Sequence, residues 1–254
     1  MILVMGGTSD ARLIAGELGQ RGAAVLVSTA TGYGARLAAG DRVEVIQGRL
    51  GSEQMRGLIQ ARGIRVLVDA SHPYAEVVSI NAEAACKEAG IHYIRYVRPE
   101  LDIPQSPLVE VVDGYAAAAA RACDLGKTIL VATGVKTAAI FAGEAAQRGK
   151  RVVFRVMPDP ASIKALIDQG ISPGDMVALQ GPFSEEMNTA LIRHFGADVL
   201  VTKESGAAGG FMEKVRAAEK TGVPLIVVDR PRESSGAVRT VEEAVKTAVK
   251  YLND

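Results

Sequence analysis

The 254-residue chain has no tryptophan, and aromatic side chains make up only 4% of it. That scarcity argues against the stacked aromatic platforms on which single strands of nucleic acid are bound. Charge of either sign is also missing in the balance: 29 basic residues meet 29 acidic ones. A net charge of zero gives no global attraction to nucleic acid or to an anionic membrane. No uninterrupted apolar run approaches 18 residues, and no basic stretch precedes the apolar start. Neither a secreted nor a membrane-spanning chain is therefore expected, and the cytoplasm is the expected compartment. Cysteine is nearly absent: Cys86 and Cys123 each lie in an alanine-rich stretch, there is no C-x-x-C, and the three histidines are scattered. The thiols read as small core residues in a reducing compartment, and no metal site is expected. There is no G-x-S-x-G elbow and no H-E-x-x-H, so hydrolase chemistry has no support. Hydrophobic residues at 48% and charged ones at 23% are ordinary for a globular protein of one large or two modest domains.

What is present begins at once. The opening MILVMGGTSDA runs four apolar residues into Gly6, Gly7 and Thr8, with a helical pattern from about Ser9. Strand, glycine turn and helix bring bare N–H groups and the positive end of a helix to one place, which suits phosphate. The dinucleotide fingerprint is matched only in part, since Ala11 stands where its last glycine would be. An ordinary first strand–helix turn without a ligand is the alternative. In dinucleotide folds an acid at the end of the second strand binds the adenosine ribose hydroxyl. Here that strand ends in Ser28-Thr29-Ala30-Thr31, with Arg36 further on. Hydroxyls and a guanidinium would donate to a 2′-phosphate that a carboxylate would repel, so NADPH is expected rather than NADH.

Strands and helices then alternate to the end. A buried strand at 66–69 leads into Ser71-His72-Pro73-Tyr74, at the edge where open α/β sheets bind ligands. A second series starts at 128–132 and ends its strands in Thr133-Gly134-Val135-Lys136, in Gly181-Pro182-Phe183-Ser184 and in Lys203-Glu204-Ser205-Gly206. Residues 93–99 with a loop, a short strand at 109–112 and an alanine-rich helix are mirrored by 225–231, a loop, a strand at 238–241 and a terminal helix. The expected architecture is two Rossmann-like, doubly wound parallel-sheet domains, 1–126 and 127–254, related by internal duplication, with the active site in the cleft between them. Each short strand could sit in its own sheet or cross to the other.

Six basic residues fall at predicted strand ends: Arg95, Arg98, Lys136, Lys203, Arg230 and Arg232. In a neutral protein they suggest a cleft for a polyanion, although lysine and arginine also populate any solvated face. Glu204 beside Lys203 reads as an acid or as that lysine's partner.

Several segments together, GGTSDA (6–11), DASHPYA (69–75), YVRP (96–99), the TG at 133–134, QGPFS (180–184), TKESGAAGG (202–210) and VPLIVVDRP (223–231), resemble the precorrin-6A reductase family, aerobic and cobalt-precorrin forms alike. The resemblance runs the whole chain in order. It implies an oxidoreductase of cobalamin biosynthesis that uses NADPH to reduce the C18–C19 double bond of a tetrapyrrole-derived macrocycle rich in carboxylates. By position, Gly6, Gly7, Thr8, Ser9 and Asp10 would meet the pyrophosphate, and Ser28, Thr29 and Arg36 the adenosine end. His72, Pro73 and Tyr74 would line the nicotinamide side. Arg95, Thr133, Gly134, Lys136, Glu204, Ser205 and Gly206 would hold the macrocycle. Lys203, Tyr74 and His72 are candidates to deliver the proton that accompanies the hydride, in equal competition with solvent. Handover of the macrocycle from neighbouring pathway enzymes is a further expectation. Another NAD(P)H-dependent reductase, a non-catalytic NADP-sensing protein and a nucleotide-sugar transferase are the alternatives.

Overall fold

The computed structural model describes residues 1–30, 42–99, 102–206, 209–230 and 236–253. The chain divides into two compact units, Met1–Pro99 with Pro231–Asp254, and Glu100–Arg230.

The first unit contains β1 (Ile2–Met5), α1 (Ser9–Gln20), β2 (Val25–Thr29), β3 (Val43–Gln47), α2 (Ser52–Arg62), β4 (Val66–Asp69), α3 (Glu76–Ala89) and β5 (His92–Arg95). Its five strands are parallel, in the order β3-β2-β1-β4-β5. The apolar runs of β1 and β4 follow from burial on both faces. Alternation along β1 sends Ile2 and Val4 to a core shared with Ile14 and Leu18 of α1, and Leu3 and Met5 to one shared with Met55, Ile59 and Cys86. Cys86 and Cys123 are both buried free thiols, and burial pushes the Cys86 thiol up to about 12.

The second unit runs β6 (Val109–Val112), α4 (Gly114–Leu125), β7 (Thr128–Val131), a 3-10 turn (Val135–Thr137), α5 (Ala138–Gln147), β8 (Arg151–Val156), α6 (Pro160–Ile167), β9 (Met176–Ala178), α7 (Glu185–Phe195), β10 (Val199–Lys203), α8 (Phe211–Thr221) and β11 (Leu225–Val228). Its sheet is also parallel, ordered β6-β11-β10-β7-β8-β9.

Each sheet takes its last position from the other half of the chain. β6 pairs with β11 rather than extending the sheet that β5 ends. The terminal helix α9 (Val241–Asn253) returns to the first unit, where Val245 and Ala248 join the α1 core and Tyr251 stacks on His92 at 4.0 Å. Val238 bridges to Tyr96 and exchanges backbone hydrogen bonds with Arg95 and Val97. With β7 taken as a first strand, both sheets follow the doubly wound order 3-2-1-4-5-6 with the sixth member exchanged. The expected division at Gly126 is thereby corrected: α4 packs on β10 and β11, in the unit that begins near residue 100. The strand expected at 238–241 contracts to one bridge before α9.

This topology has one switch point per sheet, at the carboxyl ends of β1 and β4 and of β7 and β10. Gly6–Asp10 and His72–Tyr74 lie at the first, and Thr133–Lys136 and Lys203–Gly206 at the second.

Candidate active site

In the first unit Gly6 follows β1 and its N–H donates to Ser28 O at 2.7 Å. A β-carbon on Gly6 would lie 2.8 Å from Val27 Cγ1, so glycine here lets the turn pass close to β2. Gly7 has φ +108°, which favours glycine, and a β-carbon there would meet nothing within 4 Å. The backbone thus turns beside open space at the head of α1. Thr8 caps that helix: its Oγ1 accepts from Ala11 N at 3.0 Å and donates to Ala70 O at 2.9 Å, which ties the turn to the end of β4. Such a turn, with free space beside Gly7 and a helix N-terminus behind it, has the geometry that could hold a phosphate group.

Asp10 has a different task from the one expected. Its carboxylate is 8% exposed and accepts from Tyr96 Oη at 3.1 Å and from Arg98 Nε. Arg98 also donates to Ser9 Oγ at 3.0 Å. Asp10, Ser9 and Arg98 therefore fasten the start of α1 to the segment after β5. Burial and the neighbouring Asp10 push the Tyr96 phenol up to about 12.

The loop after β4 is shaped by a fully buried carboxylate. Asp69 accepts from Ser71 N at 3.0 Å and Tyr93 Oη at 3.0 Å, and pairs with Arg95 at 3.3 Å. Arg95 also donates to Ser71 O at 3.3 Å. Expected on the substrate, Arg95 is 6% exposed and faces inward, because the carboxylate beside it in register needs a counter-charge. His72, Pro73 and Tyr74 follow as a turn closed by Ala75 N to His72 O at 2.7 Å. Tyr74 N donates to His72 Nδ1 at 3.3 Å, and the two half-exposed rings lie 5.5 Å apart.

At the end of β2, Ser28 and Thr29 are 3% and 2% exposed, buried within the strand rather than displayed beyond it. No acid follows them at Ala30. Arg36 and Arg232 lie outside the described residues.

In the second unit Gly134 follows β7 with Thr133 and Thr137 hydroxyls 2.6 Å apart beneath it, and Lys136 is exposed. Partly exposed Lys203 ends β10, and burial, then the charge of Lys136, lowers its ammonium to about 8. An amine in that range can give up a proton near neutral pH. Glu204 pairs with neither lysine: it is 3% exposed, ion-paired with buried Arg230, and accepts from Gly206 N at 2.7 Å. Its expected contact with the macrocycle is thus replaced by shaping of the Ser205–Gly206 turn. Asp69 with Arg95 and Glu204 with Arg230 repeat one device in both units: a buried carboxylate at the end of one switch-point strand, β4 or β10, held by an arginine at or just past the end of its neighbour, β5 or β11, accepting an N–H two residues on. Three of the six strand-end cations are thereby committed to carboxylates of their own unit. Among the described residues no group of three histidine, cysteine or acidic side chains could hold a metal, and no helix is long and apolar enough to cross a membrane.

The sequence reading missed a buried polar layer behind the second set. Lys214 of α8 is 4% exposed and donates to Gly209 O and Gly210 O, each at 2.9 Å. Asn188 of α7 is 2% exposed, donates to Phe183 O and Ser184 O, and accepts from Arg155 Nη1 at 2.7 Å. The signal was there in part: Lys214 falls on the face of α8 that carries Phe211, Val215 and Ala218.

Comparison with known proteins agrees with the two-sheet fold. The family model described as precorrin-6x reductase CbiJ/CobK matches residues 1–249. A protein of Salmonella typhimurium named cobalt-precorrin-6A reductase is 39% identical over 231 residues, 91% of this chain and 87% of that one. Its counterpart of the same name from Priestia megaterium is 36% identical over 251 residues, 98% of each. Among solved structures, one titled CobK precorrin-6A reductase matches with a TM-score of 0.79 at 24% identity, covering 98% of this chain and 96% of that one, a likeness of fold. The chain belongs to the precorrin-6x reductase CbiJ/CobK family.

Proposed function

We propose that the protein is an NADPH-dependent reductase that adds hydrogen across the C18–C19 double bond of cobalt-precorrin-6A or precorrin-6A in cobalamin biosynthesis. The observation that carries this reading is the open, positive-φ Gly7 turn at the first switch point, within a chain that the family model spans almost entirely. When bound, the nicotinamide supplies the hydride. Gly7 and Thr8 present backbone N–H groups and the head of α1 to the pyrophosphate, while Gly6, whose N–H is held by Ser28 O, lets the turn pass close to β2. Ser9 and Asp10 hold that turn from behind with Arg98. Pro73, His72 and Tyr74 line the nicotinamide side, kept in place by the Asp69–Arg95 pair beneath them. The absence of an acid after Thr29 favours a 2′-phosphate, which Arg36 would receive.

The second unit holds the macrocycle. Lys136 and Lys203 receive its carboxylates, with Thr133, Gly134, Ser205 and Gly206 forming the adjoining backbone. Hydride addition leaves the neighbouring carbon in need of one proton. Lys203 Nζ, lowered to about 8, can supply it as ammonium and recover it from water. Cobalt-precorrin-6A is the favoured substrate, because the two relatives described above carry that name.

The test is NADPH oxidation by the purified protein, followed by absorbance, with each macrocycle in turn. Turnover with either is expected. NADPH binding with turnover of neither would favour the sensing role, and failure to bind nucleotide would overturn the reading at Gly7.

A further inference from the structure

The loop at 181–184 lies in the QGPFS segment, and no role in the reaction falls to it from the switch-point geometry. Its packing suggests one. A β-carbon added at Gly210 would lie 3.2 Å from Pro182 Cβ and 3.5 Å from Phe183 O, so the 181–184 loop and the 209–210 backbone touch. Both are fastened from beneath by side chains that are almost wholly buried. Lys214 holds the carbonyls of Gly209 and Gly210. Asn188 holds the carbonyls of Phe183 and Ser184. Arg155, on β8, backs the 181–184 loop: it donates to Asn188 Oδ1 and lies over the Phe183 ring at 4.6 Å.

An ammonium buried in a domain interior is expensive, and an apolar residue of the same length would pack there without that cost. Such a residue would take from the Gly209 and Gly210 carbonyls the ammonium that they share. The chain keeps the lysine even though Arg155 and Lys203 add like charge around it. Its contacts serve the shape of one stretch of backbone, the one that continues from Lys203, Ser205 and Gly206.

We propose that Lys214 and Asn188 are positioning residues that lock the 181–184 and 209–210 loops into a single surface at the carboxyl edge of the second sheet, and that this surface seats the macrocycle beside Lys203. The inference rests on the reductase reading, and it gives the QGPFS segment a part in substrate binding. Neither residue touches the reacting carbons, so their loss alters macrocycle binding far more than the chemical step.

The experiment compares Lys214→Met, Lys214→Arg and Gly210→Ala with the wild-type enzyme in steady-state NADPH oxidation, varying each substrate. Lys214→Met is expected to raise KM for the macrocycle about tenfold with kcat within about twofold and KM for NADPH unchanged. Lys214→Arg restores most of the loss by donating to the same carbonyls. Gly210→Ala disturbs the contact with Pro182 while leaving the lysine in place, and it should show the same one-sided rise; circular dichroism verifies that each variant is folded. A folded Lys214→Met and Gly210→Ala with wild-type KM for the macrocycle would overturn the proposal, as would an equal rise in both KM values. A wild-type protein that turns over neither macrocycle would instead refute the reductase reading, and this role with it.

Discussion

Replacing Arg95 by methionine tests whether the loop that carries His72 and Tyr74 depends on a buried ion pair. Arg95 and Asp69 are 6% and 0% exposed in their side chains, and their charged atoms lie 3.3 Å apart. At an effective dielectric constant of about 20 the pair attracts by about 5 kcal/mol. Desolvation offsets much of this in the intact protein, but the mutant retains Asp69 in its buried site without a counter-charge. Stranding one buried partner in this way costs about 3–5 kcal/mol. Tyr93 Oη and Ser71 N still donate to the carboxylate, which places the expected loss near the lower end. With a urea m-value of about 1–3 kcal/mol/M, the midpoint should fall by about 1–3 M. Circular dichroism would follow the transition, since there is no tryptophan. Adding Asp69→Asn to Arg95→Met should recover part of the loss, because a neutral amide needs no counter-charge. A loss under about 1 kcal/mol, or strictly additive single and double mutants, would refute the reasoning.

Gly6→Ala places a β-carbon 2.8 Å from Val27 Cγ1 and 3.1 Å from Ser28 O, so the β1–β2 contact must open. A destabilisation of about 1–3 kcal/mol and weaker NADPH binding are expected by thermal melting and fluorescence titration; an unchanged melting temperature would contradict the close approach. Arg36→Ala should weaken NADPH much more than NADH in the same titration, and equal losses would remove its role at the 2′-phosphate. Burial, with Arg155 adding to it, lowers the Lys214 ammonium from 10.5 to about 7, so the unfolded chain binds more protons at this site between those values. Stability should therefore rise with pH across that window, by up to about 1.4 kcal/mol per pH unit for one proton. The excess of wild-type over Lys214→Met stability should grow between pH 7.5 and 9.5 in urea titrations, and a constant difference would mean that the amine is not desolvated.

The parallel α/β class, the strand–turn–helix opening and both switch-point loops were legible in the sequence, because each rests on local chemistry. Unbroken apolar runs mark strands buried on both faces, and glycines and hydroxyls mark the turns between strand and helix. The repeat of 93–125 in 225–254 was legible too, from matching order and punctuation. The exchange of the sixth positions was not. A short apolar strand such as Val109–Val112 satisfies the open edge of either sheet equally well, and only the path of the chain beyond residue 99 decides between them. The fate of the charges was also hidden. Arg95, Arg98 and Arg230 read like Lys136 and Lys203 in a list of strand ends, yet three of them neutralise Asp69, Asp10 and Glu204 inside their own units. Whether a strand-end cation meets a buried carboxylate depends on which acid packs beside it, a neighbour 26 to 88 residues away in sequence. The sequence by itself determined the kind of fold and the places where a ligand could bind. The tertiary structure decided which charged side chains hold the loops in shape through buried pairs, since burial and pairing are set by contacts that do not follow the order of the chain.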